Sequence, residues 1–309
     1  MPKIRYRRRA PARRKTTRRT VRRRSSVKKR RYTRKMTSRK ILNMTSRKKR
    51  DNMLVYTNST AANQTGSTTY ASAPAVVTGG VSSSDASSFL WCATARNATT
   101  AVSGTGGTSL YSSTRSASTC YMVGLKESYE IQTNSGMPWQ WRRIVFTMKG
   151  LNLRLPTSND FSLAAQTSNG WQRIMNQMGG GPGGGGNGIK YALMDILFRG
   201  QVNSDWYDPM TAVVDTARVT LKYDKTVTVA ANNEEGCIRK YKRWHGFYSN
   251  LVYDDDEIGG GLSTNQFSTT GKAGMGDVYV LDMFRARAGS TSSDQMIVTP
   301  ESTLYWHEK

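Results

Sequence analysis

Tyr121-Met122-Val123-Gly124-Leu125-Lys126-Glu127-Ser128-Tyr129-Glu130-Ile131-Gln132 is the stretch that decides the fold class. Tyr121, Val123, Leu125, Tyr129 and Ile131 alternate with Gly124, Lys126, Ser128, Glu130 and Gln132, a period of two with one wet face, which predicts a half-buried strand. Asn134-Ser135-Gly136 then turns the chain into Trp139–Met148, a second strand of the kind that antiparallel sheets pair through short connections. Further along, Ala217, Val219, Leu221, Tyr223, Val227 and Val229 alternate with Arg218, Thr220, Lys222, Thr226 and Thr228. Residues 237–253, 277–288 and 296–306 complete the set, separated by glycine-rich or acidic turns. Upstream, residues 57–119 are mostly Ser, Thr, Ala and Gly, and 53–56 and 89–95 are the apolar stretches at and within this region. Only 169–178, ahead of a glycine tract, reads as helical. With about seven to nine strands and no βαβ alternation, the chain is predicted to be all-β, a sandwich or a barrel.

Charge divides the chain differently. The first 50 of 309 residues hold 25 Lys and Arg and no Asp or Glu, which equals the formal charge of the whole chain, +25. The rest keeps 46 less 25, or 21, basic side chains against 21 acidic ones. A segment with so little to bury cannot offset its ordering entropy, so residues 1–50 are predicted to be a basic arm, disordered when free, ahead of a folded domain at 51–309. Such a polycation suits a polyanionic partner, and the arm residues expected to contact nucleic-acid phosphates are Arg5, Arg7, Arg8, Arg9, Arg13, Arg14, Lys15, Arg18, Arg19, Arg22, Arg23, Arg24, Lys28, Lys29, Arg30 and Arg31. Lys28, Lys29, Arg30 and Arg31, with Arg47, Lys48, Lys49 and Arg50, also have the clustered pattern of nuclear import signals. Organelle transit peptides share the composition but space their arginines along an amphipathic helix, and here almost no apolar face exists to make one.

In the body, the densest basic patch is Arg239-Lys240-Tyr241-Lys242-Arg243-Trp244-His245. On a strand, Lys240 and Lys242 share a face with Trp244, and Arg239 and Arg243 share the other with Tyr241 and His245. Arg239, Lys240, Lys242 and Arg243 are therefore candidate DNA contacts with an aromatic placed to stack on a base, against the plainer reading of a solvated or subunit-pairing strand. Arg142-Arg143 beside Trp141 is a weaker candidate of the same kind.

Other signals point away from chemistry. Cys92, Cys120 and Cys237 lie far apart without C-x-x-C spacing, which predicts packed, reduced thiols in an intracellular setting. Asp254-Asp255-Asp256-Glu257 lacks the alternating spacing of a calcium loop and reads as an acidic turn, with a pairing surface for a neighbour's arginines as the sharper reading. The glycine tract at 179–188 lacks the strand before it, and the Gly-Lys-Ser/Thr, that phosphate loops need. His245 and His307 are the only histidines and neither has a nucleophile or carboxylate in a catalytic pattern. No catalytic residue, metal or cofactor is predicted. No apolar stretch at the start reads as a secretory signal, and the best apolar run, 191–198, is interrupted by Asp195, so no membrane role is expected.

A basic arm ahead of an antiparallel β-body is the layout of many viral coat proteins. Thr45-Ser46-Arg47-Lys48-Lys49-Arg50-Asp51-Asn52 and Cys120-Tyr121-Met122-Val123-Gly124-Leu125-Lys126-Glu127-Ser128-Tyr129-Glu130 resemble the capsid proteins of genomoviruses, gemycircularviruses especially. More distantly, 277–306 is similar to the last two strands of geminivirus coat proteins. The resemblance implies a single eight-stranded antiparallel jelly roll that self-assembles into a small icosahedral shell of about sixty copies, packages circular single-stranded DNA, and occupies the virion and the host nucleus. It also implies host nuclear import receptors as partners. About sixty arms would supply about 1,500 charges, the scale of a genome of about two thousand nucleotides. The competing expectation is a cellular ribosomal or chromatin-type nucleic-acid-binding protein with a basic extension; such proteins usually spread positive charge over the folded part, whereas this body is neutral.

Overall fold

The structure, a computed structural model, describes residues 36–80, 85–100, 104–108, 110–156, 161–179 and 186–309. The sixteen arm residues from Arg5 to Arg31 and most of the glycine tract lie outside them. The chain divides into two compact units, Met1–Leu42 and Asn43–Lys309. Of the first, only residues 36–42 are described, and they open helix α1 (Ser38–Thr45).

The second unit is mostly β. Its strands begin with β1 (Arg47–Met53), β2 (Val55–Thr57), β3 (Ala75–Thr78), β4 (Ser87–Cys92), β5 (Thr119–Thr133) and β6 (Trp139–Met148). After the short helix α2 (Leu151–Arg154) come four small strands, β7 (Gln166–Thr167), β8 (Gly170–Trp171), β9 (Arg173–Met175) and β10 (Gln177–Met178). Helix α3 (Gly186–Leu197) leads to β11 (Thr220–Val229), β12 (Ile238–Val252), β13 (Asp256–Ile258), β14 (Gly261–Ser263), β15 (Asp277–Ala286) and β16 (Gln295–Glu308). Two five-stranded sheets, antiparallel throughout, carry the architecture. The first has the order β1-β16-β5-β12, with β3 beside the other half of β16; the second has the order β10-β4-β15-β6-β11.

The sheets face one another across a shared apolar interior. Met122 and Leu125 of β5, Leu304 and Trp306 of β16 and Leu251 of β12 pack with Trp91 of β4, Val145 of β6 and Val280 of β15. Tyr129, Ile131, Met296 and Val298 pack likewise with Phe89, Trp139, Trp141 and Phe284. The far side of the second sheet is covered as well: Ile189, Leu193 and Leu197 of α3 meet Leu90, Ile144, Phe146, Leu281 and Met283. Burial on both faces explains why β15 and β6 are buried at nearly every position and carry the unbroken apolar runs Val278–Leu281 and Ile144–Phe146, whereas burial in β5 and β16 alternates.

An ionic network crosses the interior between these apolar clusters. Arg143 of β6 donates to Asp282 of β15 (Nε to Oδ1, 2.9 Å) and lies 2.7 Å from Glu127 of β5. Arg173 of β9 closes the ring, 2.9 Å from Asp282 and 3.1 Å from Glu127. Trp141 Nε1 donates to Asp282 (2.9 Å), Ser302 Oγ to Glu127 (2.7 Å), and Tyr129 OH to Asp282 (3.0 Å). All four charged side chains are at most 2% exposed. Burial raises the pKa of Glu127 and Asp282, but the two guanidiniums outweigh it and hold both carboxyls below their ordinary range.

Five expectations need correction. Residues 169–178 form β8, β9 and β10 instead of a helix, and the helix lies beyond the glycine tract, at α3. Asn134-Ser135-Gly136 does not close a hairpin, because β5 pairs with β12 and β16 while β6 pairs with β11 and β15; the turn carries the chain from one sheet to the other. The alternation in β5 changes phase at Val123, which is skipped where the pairing with β16 shifts, so Tyr121 and Val123 are half-buried with the outward set while Met122 points inward. Arg142 and Arg143 are buried, not surface contacts: Arg142 clamps Asp224 (2.9 Å) and donates to Pro209 O (2.8 Å). Finally, the boundary placed after Arg50 falls inside β1, whose pairing with β16 starts at Arg47 opposite Glu308.

Candidate nucleic-acid interface

Among the described residues, one face of the first sheet carries the exposed and half-buried side chains of its strands. Its outward side chains follow from the alternation of burial: Lys48, Arg50 and Asn52 on β1; Glu301, Thr303, Tyr305 and His307 on β16; Tyr121, Lys126, Ser128 and Glu130 on β5; Lys240, Lys242 and Trp244 on β12. Five cations, Lys48, Arg50, Lys126, Lys240 and Lys242, thus stand against two carboxylates, and one of those, Glu130, is taken by Lys240 at 3.0 Å. The chain enters this sheet at Arg47, on edge strand β1.

The register gathers the aromatic side chains. Tyr305 is opposite Gly124, which is opposite Gly246; Thr303, Lys126 and Trp244 form the next row. A Cβ on Gly124 would lie 2.6 Å from the Trp244 ring and one on Gly246 would lie 2.4 Å from the Tyr248 ring, so both strands need glycine there for the rings to lie over the backbone. Trp244 and Tyr305 have centroids 5.8 Å apart, and Trp244 Nε1 donates to Tyr248 OH (3.3 Å). Tyr248 sits in the bulge between Gly246 and Ser249 with φ 49°, a conformation costing a non-glycine residue about 1–3 kcal/mol. Trp244 remains 47% exposed and Tyr248 56% exposed.

Of the body residues singled out by sequence, Lys240 and Lys242 reach this face and Arg239 and Arg243 do not. Arg243 turns to the opposite side, 5.6 Å from the Tyr241 ring and 5.9 Å from that of Trp141, and Arg239 donates to Ala230 O (3.4 Å). Arg47, Lys48 and Arg50 are exposed on β1, but Lys49 is 3% exposed, lies 3.2 Å from Glu308, and donates to Thr114 O (2.6 Å). Lys126 and Tyr305 are not among the sequence candidates, and Arg50 is there as part of an import cluster only; the signal that joins the three to this face is cross-strand register, which a single strand does not display.

His245 lies beneath this face, 5% exposed, its ring 5.0 Å from that of Tyr223. Burial and the nearby Arg143 guanidinium push its pKa down to about 4. The folded state therefore holds fewer protons than the unfolded one, and stability present above the ordinary imidazole range is lost as pH falls toward 4, by about 3 kcal/mol in full. Asp277 opposes it: burial pushes its pKa up to about 6, although Ser268 N and Oγ and Thr94 donate to it, so its contribution falls as pH rises through 6. His245→Phe should therefore shrink the loss of stability between about pH 6 and 4, the acid-side loss that remains coming from carboxyls such as Glu127 and Asp282, whose pKa values are held low. Urea titrations across that range check this, and unchanged pH dependence would contradict it.

The other candidates resolve structurally. Asp255 accepts from the buried Arg115 (Nη2, 2.9 Å), while Asp256 and Glu257 lie on an exposed two-stranded hairpin, β13 with β14. Among the described residues no group of three or more His, Cys, Asp or Glu is placed to hold a metal ion. No described helix is long and apolar enough to cross a membrane. Neither a protein-family model nor a curated protein matches the chain.

Proposed function

We propose that this chain is a viral capsid protein whose body is a jelly roll that tiles into a small closed shell and whose arm condenses single-stranded DNA. The observation that carries the reading is the division of charge: 25 cations without an acid in the first 50 residues, ahead of a body with equal numbers of each sign. A polycation on a neutral body binds a nucleic-acid backbone without sequence readout while leaving copies of the body free to approach one another. The strand orders support the jelly-roll reading. Taking the eight long or central strands alone, β1-β16-β5-β12 faces β4-β15-β6-β11, the arrangement of two interleaved Greek keys.

The packaged ligand is a circular single-stranded DNA, the partners are about sixty copies of the same chain and, in a host cell, nuclear import receptors that read Lys28, Lys29, Arg30 and Arg31. The second basic cluster serves import less well, since Lys49 is buried in β1. The virion and host nucleus are the corresponding locations. Nuclease protection tests the reading: circular single-stranded DNA mixed with the full chain should become resistant to nuclease in a fixed DNA-to-protein ratio. Complexes that remain fully digestible would overturn it.

A further inference from the structure

Resting on that reading, we propose that Trp244, Tyr248 and Tyr305 form a stacking site for unpaired bases, which makes the folded body select single-stranded over double-stranded DNA. The occupant follows from the company the rings keep. Lys126 is the cross-strand neighbour of Trp244, Arg50 is that of Tyr305, and Lys242 is the next outward residue before Trp244 on β12. Cations spaced around exposed rings match a strand whose phosphates and bases lie side by side, and a base has a free face only when unpaired. Among the described residues, Lys126, Arg50 and Lys242 form no ion pair with the protein's own carboxylates, so their charge is available to a ligand. A purely packing role gives no reason for Trp244 and Tyr248 to remain half exposed over two glycines, with Tyr248 held in a strained conformation.

The distribution of tryptophans makes the site directly observable. Of the seven, Trp91, Trp139, Trp141, Trp171 and Trp306 are buried and Trp206 is half-buried, which leaves Trp244 as the exposed one. Intrinsic emission of the full chain should fall when single-stranded oligothymidylate binds. Inorganic polyphosphate, which offers the arm charge without bases, and a duplex of the same length should bind at low salt without that fall. At about 0.5 M salt, where backbone attraction is screened, Trp244→Ala should bind oligothymidylate about tenfold more weakly than the parent chain, and Trp244→Phe should retain most of the affinity.

Binding of oligothymidylate, seen by anisotropy, with unchanged emission and no effect of Trp244→Ala would overturn the stacking site and leave the arm reading intact. Failure of every polyanion to bind at low salt would overturn the reading beneath it. If Trp244→Ala weakened self-association and not DNA affinity, the face would be a seat for a second copy and the proposal would be wrong.

Discussion

Asp282→Ala should destabilise the fold by about 3–5 kcal/mol, a large part of the roughly 5–15 kcal/mol that holds a typical domain together. The carboxylate accepts from Arg143, Arg173, Trp141 and Tyr129 at a site 1% exposed, and removing it leaves two guanidiniums with Glu127 as their only carboxylate partner. An uncompensated buried cation is far more costly than a surface one, because water cannot reach it and burial disfavours the charged form. Moreover, the network ties β5 of one sheet to β6 and β15 of the other, so its loss weakens the contact between sheets as well as one strand. Replacing Glu127, Arg143, Arg173 and Asp282 together by apolar residues of similar volume should cost less than Asp282→Ala alone, since no charge is then stranded. Unfolding free energies from urea titration check both; a loss below about 1 kcal/mol for Asp282→Ala would mean that solvent enters the network.

Two truncations should behave in opposite ways. Residues 1–42 hold 21 of the 46 basic side chains, so their removal leaves 25 against 21 acidic ones, and the shortened chain should stay folded while losing the steep salt dependence of DNA binding. A full chain that makes six to ten phosphate contacts should lose about 10³–10⁵ in affinity between 50 and 200 mM salt. Removing residues 1–50 instead deletes four of the seven residues of β1 and takes Lys49 from Glu308, which is 2% exposed and also accepts from Ser116 and Trp306. That variant should unfold at markedly lower denaturant concentration. Equal stability of the two truncations would contradict the placement of Arg47–Met53 in the sheet, and a salt slope unchanged by removal of 1–42 would contradict the role given to the arm.

How much of this was legible beforehand depends on what each residue shows along its own strand. The central strands were readable because burial in the first sheet alternates, which writes a period of two into β5 and β16, and because double burial leaves short unbroken apolar runs, Ile144–Phe146 in β6 and Val278–Leu281 in β15. Helix α3 was hidden because its glycine-rich start resembles a loop and its apolar stripe, Ile189, Leu193 and Leu197, spans only two turns. Strand β1 was hidden for a different reason. Its inward positions are Lys49, Asp51 and Met53, and two of these three are charged; they are satisfied by Glu308 and Arg96, which lie far away in sequence. Within the candidate interface, Lys240, Lys242 and Trp244 could be assigned to a common face by spacing alone. Their association with Lys126, Tyr305 and Arg50 could not, since it depends on which strands pair and in what register.

The most direct test of the central claim is electron microscopy of the purified full chain with and without circular single-stranded DNA. Closed particles of uniform size, built from about sixty subunits with DNA density lying against the inner surface, are the predicted result. Monomers, or amorphous aggregates whose size follows the DNA and not the protein, would contradict it.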